Sequence, residues 1–469
     1  MAVMFVGMLM RLVPLTEFSL WGSDWGEYFH LTERLVEDGH HLELNLGWGR
    51  AYVDFTGLFD LTGAVALITG LSVSDSMLYV IPCVTAISCL LVACIVLRLG
   101  GGPWAALISA TLVAVIFPEV FTNSHPVPGP LGSTILLGTI LVFLMGDAWR
   151  SDEGVDAERP MVLHVLFMLL LLALMVTHHM SHFFLVLVLG MAYLLRNAMV
   201  FGREPRRDWW GIWTLISALA LATVYWLVVA KTFRDEVMVD LVGVDGYVMM
   251  ALGWVALLFL MVIAAGIGRY RRRVPNPPMW GVPELGPALV AYFVAGFVII
   301  FLVSVYGFPG TDIEPGGEMI VYILPTVAAF ALLIGSSDVV LRRHGGIVAV
   351  AWVAALTGSF LLMTALQSHI LVPYRHIPYL VEGMAVLAGI GAIHLIVMFR
   401  PRDVTRARYM APLVIIGVLL LASLAYTAYP PKSVMGGFQE GTTEQELGAS
   451  LWLRGGLPVP GGVPEDLGS

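Results

Sequence analysis

Hydrophobic residues dominate the chain in long blocks separated by short polar punctuation, and a window of about twenty residues predicts about thirteen membrane spans. Their limits fall near 1–19, 76–98, 103–121, 131–147, 161–176, 183–196, 209–230, 247–268, 286–306, 318–335, 346–366, 377–399 and 410–428. With the N-terminus inside, 17 of the 25 basic residues fall in six successive inner loops, from Arg98 to the group Arg400, Arg402, Arg406 and Arg408. Basic residues collect on the cytoplasmic side of membrane proteins. The asymmetry therefore predicts an odd span count and a C-terminus outside. The first block lacks the charged start and cleavage site of a signal peptide and is read as a retained span.

Two outer segments break the serpentine. Residues 20–75 form a long first outer loop, and loops of that length in compact chains are usually functional. Within it, Ser23 and Asp24 precede a helical pattern with Tyr28, Leu31 and Leu35 on one face, Glu27, Arg34 and Asp38 elsewhere, and a stop at Gly39. This predicts an amphipathic helix over 27–38 lying along the membrane surface. A second pattern over 58–70, with Leu61, Ala64, Val65 and Ile68 in a stripe, is too short to span and is laid on the same surface. The predicted organisation is an all-α membrane domain over 1–429 followed by a short outer tail over 430–469. That tail is rich in Gly and Pro, with one helix from Thr443 to Arg454, and is too short to build a core alone. No internal repeat is visible.

Composition agrees: 469 residues, 58% hydrophobic, 13% charged and a mean hydropathy of +0.85 exclude a soluble globular chain, which carries about 25% charge. The net charge of −9 is not a surface-binding signal, and nothing suits nucleic acid. Cys83, Cys89 and Cys94 sit at helical spacings in one apolar run and read as small packing residues.

The order of motifs resembles the GT-C glycosyltransferases, which draw sugars from polyprenyl-phosphate carriers. Arg11-Leu12-Val13-Pro14, then Gly22-Ser23-Asp24, then Glu33-Arg34-Leu35-Val36-Glu37-Asp38-Gly39 looks like the family's opening. Leu67-Ile68-Thr69-Gly70-Leu71-Ser72 then leads into a span ending Leu97-Arg98-Leu99-Gly100-Gly101. Val372-Pro373-Tyr374-Arg375-His376-Ile377-Pro378-Tyr379, followed by Leu387-Ala388-Gly389-Ile390-Gly391, is similar to the segment that sets an Arg against the donor phosphate. Span number and C-terminal side bring the chain nearest to archaeal and other prokaryotic oligosaccharyltransferase subunits. Two departures stand out. The family's C-terminal domain with Trp-Trp-Asp-Tyr-Gly has no counterpart after Leu451-Trp452-Leu453-Arg454, and the second acidic motif is replaced by Thr122-Asn123-Ser124-His125-Pro126-Val127-Pro128-Gly129, with Glu119 nearby. Peptide-sequon recognition and a divalent metal, both implied by the family, are thus unsupported here. The cofactor stays unassigned.

The resemblance implies transfer of a sugar or oligosaccharide from a lipid phosphate to an acceptor glycan, lipid or protein at the outer face of the cytoplasmic membrane. Such chemistry needs a carboxylate to take the acceptor's proton and a cation to meet the departing phosphate, for which Arg is well shaped. Asp24 is the candidate base. Arg375, His376 and Arg11 are the candidate phosphate contacts, with Glu27, Tyr374, His125, His178, His179 and His182 as further pocket candidates. Each has a plainer alternative. Asp24 with Glu27 three residues on is a variant capping box, Arg375 an interfacial Arg at a helix end, and Arg11 a buried ion-pair partner of Glu17 or Asp24. The run from His178 to His182 suits either a metal or hydrogen bonding at a helix turn. A secondary transporter and a non-catalytic scaffold are the rival classes; the first usually shows paired, broken repeats, absent from this sequence.

Overall fold

The protein is described from a computed structural model. Residues described are 1–42, 45, 47, 49–149, 159–198, 209–237, 246–273, 294, 298, 330, 340, 345–365, 373–398, 406–432 and 440–456. The expected spans 286–306 and 318–335 lie almost entirely outside them.

The chain opens with α1 (Ala2–Leu12), a short strand β1 (Leu20–Trp21), α2 (Trp25–Asp38) and α3 (Gly57–Thr69). A long helix α4 (Val73–Arg98) follows, then α5 (Gly102–Val115), α6 (Glu119–Asn123) and α7 (Pro128–Trp149). Next come α8 (Arg159–Thr177), α9 (His179–Ala198), α10 (Trp209–Val224) and α11 (Gly246–Arg273). The last described helices are α12 (Gly346–Ala365), α13 (Ile377–Met398) and α14 (Arg406–Tyr426), with β2 (Gly441–Thr442) and α15 (Glu444–Gly456) in the tail. Among the described residues, six helices are long and apolar enough to cross a membrane. They coincide with the expected spans at 76–98, 131–147, 183–196, 209–230, 346–366 and 377–399, and the protein is a multi-pass membrane protein. The apolar helices near 1–19, 103–121 and 161–176 are shorter, at Ala2–Thr16, Gly102–Val115 and Met161–Thr177.

Two helices organise the bundle. α9 packs against α7, α10, α11 and α12, while α5 packs against α1, α4, α13 and α14. Association of helices in lipid depends on close van der Waals approach, which small residues allow. A Cβ at Gly389 of α13 would overlap the Ser109 hydroxyl and the Ala105 carbonyl of α5, so that crossing requires glycine.

The periodicity of α2 is used against protein: Tyr28 and Leu31 are buried with Leu58 and Phe59 of α3 and Met77 and Ile81 of α4. α3 buries Leu58, Phe59, Thr62, Gly63 and Ala66. The stripe expected from sequence is the opposite, outer face, where Ala64 and Ile68 are exposed and Leu61 and Val65 half-buried. The tail does not stand alone. Its β2 pairs antiparallel with β1, setting Thr442 opposite Leu20 and Gly441 opposite Trp21, and α15 starts on a reciprocal capping box. Thr443 N donates to Glu446 Oε2 at 2.8 Å and Glu446 N to Thr443 Oγ1 at 3.3 Å.

Candidate active site

Asp24 closes a tight turn in which Trp25 N donates to the Gly22 carbonyl at 3.2 Å, and it is the N-cap residue of α2. Gly22 takes φ +105°, where a side chain is strained, and a Cβ there would also press on the His125 ring at 3.3 Å. The Asp24 carboxyl makes no capping hydrogen bond, so the capping-box alternative is not how this side chain is used. Partial burial pushes its pKa above the ordinary carboxylate value, the Glu440 anion adds to the rise, and Arg375, His125 and a Ser23 hydrogen bond oppose it. A carboxylate held in that state is a better proton acceptor than a free one.

Arg375 occupies the 3-10 turn Pro373–His376 just before α13, and brings its charge to Asp24. Its Nη1 lies 3.6 Å from Met180 Sδ, and Tyr374 beside it hydrogen-bonds to the guanidinium. Tyr28 of α2 and Tyr52 complete the surroundings. Their rings meet edge to face at 5.1 Å, their hydroxyls hydrogen-bond to each other, and both feel Arg375 and Asp24. Desolvation raises both phenol pKa values, keeping them neutral donors.

Behind Asp24 stands Glu440, from the tail. Its Oε2 accepts from the Ser23 N–H at 3.0 Å and lies 3.4 Å from His125 Nε2. Burial pushes the Glu440 carboxyl up, but His125 and Ser23 outweigh it and leave it below the usual range.

The other expected site residues are placed elsewhere. His376 follows Arg375 in the chain yet is completely buried, 2.9 Å from Ser359 Oγ through Nε2 and packed on Phe184 and Phe360. Arg11 is also fully buried, 3.5 Å from Glu119, and donates to the Gly7 carbonyl and Ser88 Oγ at 3.1 Å each. Its ion-pair partner is thus Glu119, not Glu17 or Asp24, and it serves helix packing. Glu27 accepts from Asn45 Nδ2 at 2.6 Å and from Gly49 N at 3.1 Å, which latches the loop after α2. His178 Nδ1 lies 2.8 Å from Ser181 Oγ, His179 packs among Phe55, Phe233 and Tyr52, and His182 Nε2 meets the Ala218 carbonyl at 2.9 Å. Hydrogen bonding and packing at a helix turn account for this run. Among the described residues, no three His, Cys, Asp or Glu side chains form a set that could hold a metal ion, so the residues described do not fit the divalent metal the fold family implies.

Sequence reading missed Glu440, Tyr52 and the polar use of Tyr28. Periodicity sets Tyr28 on the apolar face of α2, and no local pattern in the Gly- and Pro-rich tail marks Glu440.

No protein-family model matches the sequence, and no curated protein matches it by sequence. Solved structures do match. The apo oligosaccharyltransferase of Archaeoglobus fulgidus is 14% identical with a TM-score of 0.63, over 97% of this chain and 58% of that one. The same organism's oligosaccharyltransferase AglB, in complex with an inhibitory peptide and a dolichol-phosphate, is 13% identical with a TM-score of 0.60, over 97% and 58%. ArnT from Cupriavidus metallidurans bound to undecaprenyl phosphate matches at 14% identity and a TM-score of 0.45, over 93% and 75%. The chain has an oligosaccharyltransferase-like GT-C fold. It spans less than two thirds of the archaeal transferase's length.

Proposed function

We propose that this protein is a membrane glycosyltransferase that moves a sugar or oligosaccharide from a polyprenyl-phosphate carrier to an acceptor on the outer face of the cytoplasmic membrane. The observation that carries the reading is that Asp24, from the first outer loop, and Arg375, from the last, are close enough to feel each other's charge, with Tyr28 and Tyr52 feeling both. An archaeal transferase of the same fold, solved with a dolichol-phosphate, supports the choice of donor. In the reaction, Asp24 takes the acceptor's proton as its heteroatom bonds to the sugar's anomeric carbon, and the bond from that carbon to the phosphate oxygen breaks. The charge left on the lipid phosphate is met by Arg375, with Tyr28 and Tyr52 as neutral donors nearby. No step is routed through a metal. All thirteen spans, with α3 resting its exposed apolar stripe on the outer leaflet, belong to this reading, as does a lipid-borne donor entering from the membrane side.

The transporter alternative has its own observation, since Arg11, Glu119 and Glu382 are ionisable groups buried among the helices. One experiment separates the two. Purified full-length protein in nanodiscs, given a labelled polyprenyl-phospho-sugar, should release or transfer the sugar. Arg375→Lys loses the two-pronged phosphate contact. Losing one charge-assisted hydrogen bond, about 1.5–3 kcal/mol, should lower kcat/KM roughly 10- to 100-fold. A wild-type protein that never consumes such a donor, yet moves a solute into vesicles, establishes the transporter instead.

A further inference from the structure

The segment carrying Asp24 is held by two others that are remote from it in sequence. β2 of the tail lies along β1, with Ser19 N donating to the Thr442 carbonyl at 3.0 Å and Gly22 N to the Glu440 carbonyl at 2.8 Å. The backbones approach so closely that a Cβ at Gly441 would overlap the Phe18 ring. From the other side, Trp21 Nε1 donates to Ser124 Oγ at 2.8 Å, and the Trp21 and His125 rings lie 5.1 Å apart. His125 Nδ1 sits 2.7 Å from the Phe121 carbonyl. A carbonyl only accepts, so Nδ1 carries a proton, and Nε2 faces the Glu440 carboxylate at 3.4 Å. The Ser23 N–H and His125 thus converge on one oxygen of Glu440, Oε2, and hold its carboxylate against the turn that ends in Asp24.

We propose that the C-terminal tail completes the active site, and that Glu440 is a positioning residue that fixes the Gly22–Asp24 turn and sets the charge felt by the Asp24 carboxylate. The proposal rests on Asp24 being the base of the transferase described above. It assigns the tail a part in the chemistry that β-pairing alone would not require, because a strand pair needs backbone only, whereas this contact uses the side chain of a half-buried acid. The groups facing Asp24 are Glu440, Arg375, His125 and Ser23, with Tyr28 and Tyr52 also within reach of its charge. Of the two members of the Glu440–His125 pair, Glu440 has the larger effect on Asp24. Removing the acid therefore makes Asp24 easier to deprotonate.

Glu440→Gln keeps an oxygen for the Ser23 N–H and removes the charge; Glu440→Ala removes both. Carbodiimide reacts with protonated carboxyls, so the pH midpoint of Asp24 labelling, read by mass spectrometry on the full chain in nanodiscs, follows Asp24 without any need for turnover. With Glu440→Gln the labelling midpoint and the acid limb of kcat should both move to lower pH. Glu440→Ala should in addition lower kcat on the order of 10²-fold, the cost of a catalytic group displaced by about an ångström, with KM for the donor little changed. A labelling midpoint that stays put in Glu440→Gln overturns the proposal, whatever the activity. A midpoint that moves in a protein that transfers no sugar overturns the transferase reading and leaves the tail's hold on Asp24 standing.

Discussion

Asp24→Asn should lower sugar transfer from a polyprenyl-phosphate donor by about 10²-fold or more, the usual contribution of a general base, while leaving the thermal unfolding midpoint within error of wild type. Asn and Asp rank alike as helix N-caps, and here the carboxyl makes no capping bond at all. An exchange of one for the other therefore costs α2 nothing. The pH dependence has a definite sign. Net elevation of the Asp24 pKa, from burial first and Glu440 second, over the opposing Arg375, His125 and Ser23, means that the base loads with protons at higher pH than a free carboxylate. Activity should rise with pH through that elevated value, and the acid limb should disappear in the Asn variant. Near-normal transfer by Asp24→Asn would assign the base to another group.

Arg11→Met should have the largest effect on stability. Arg11 and Glu119 are both at 0% exposure, 3.5 Å apart, and Asn123 Nδ2 donates to the same Glu119 oxygen. Removing one member of a buried pair leaves the other uncompensated and costs about 3–5 kcal/mol, the lower end applying where the stranded acid takes up a proton. Replacing both members is far gentler, because neither desolvated charge remains. The double variant Arg11→Met with Glu119→Gln should recover most of the loss in a denaturation series in detergent. If the single variant is as stable as wild type, the pair contributes nothing to packing, and the polar assignment of α1 is wrong.

Residues of the site differ in how far they could be read in advance. Asp24 and the helix after it were legible because the signals are local: a turn residue, a polar N-terminus, apolar positions three and four apart, and Gly39 as the stop. The surface that the apolar face meets was not. Periodicity gives a face but not its partner, and Tyr28 and Leu31 pack on α3 and α4. Arg375 and His376 show the same limit at one peptide bond. They are neighbours in a 3-10 turn, yet one brings its charge to Asp24 and the other is sealed against Ser359 and Phe184, because the packing of α12 and α9 selects which way each side chain leaves the turn.

What the sequence determined by itself was whatever depends on short-range order. Six apolar helices, the amphipathic α2, the tail helix beginning near Thr443 and the exposed stripe of α3 all follow from the free-energy preferences of neighbouring residues for lipid, water and helix. Tertiary structure decided the pairings of charges. Arg11 finds Glu119 and not Glu17, and Glu440 crosses from the tail to Ser23 and His125. A buried charge takes as partner the group that the fold brings within about 4 Å, and distance along the chain places no constraint on which group that is.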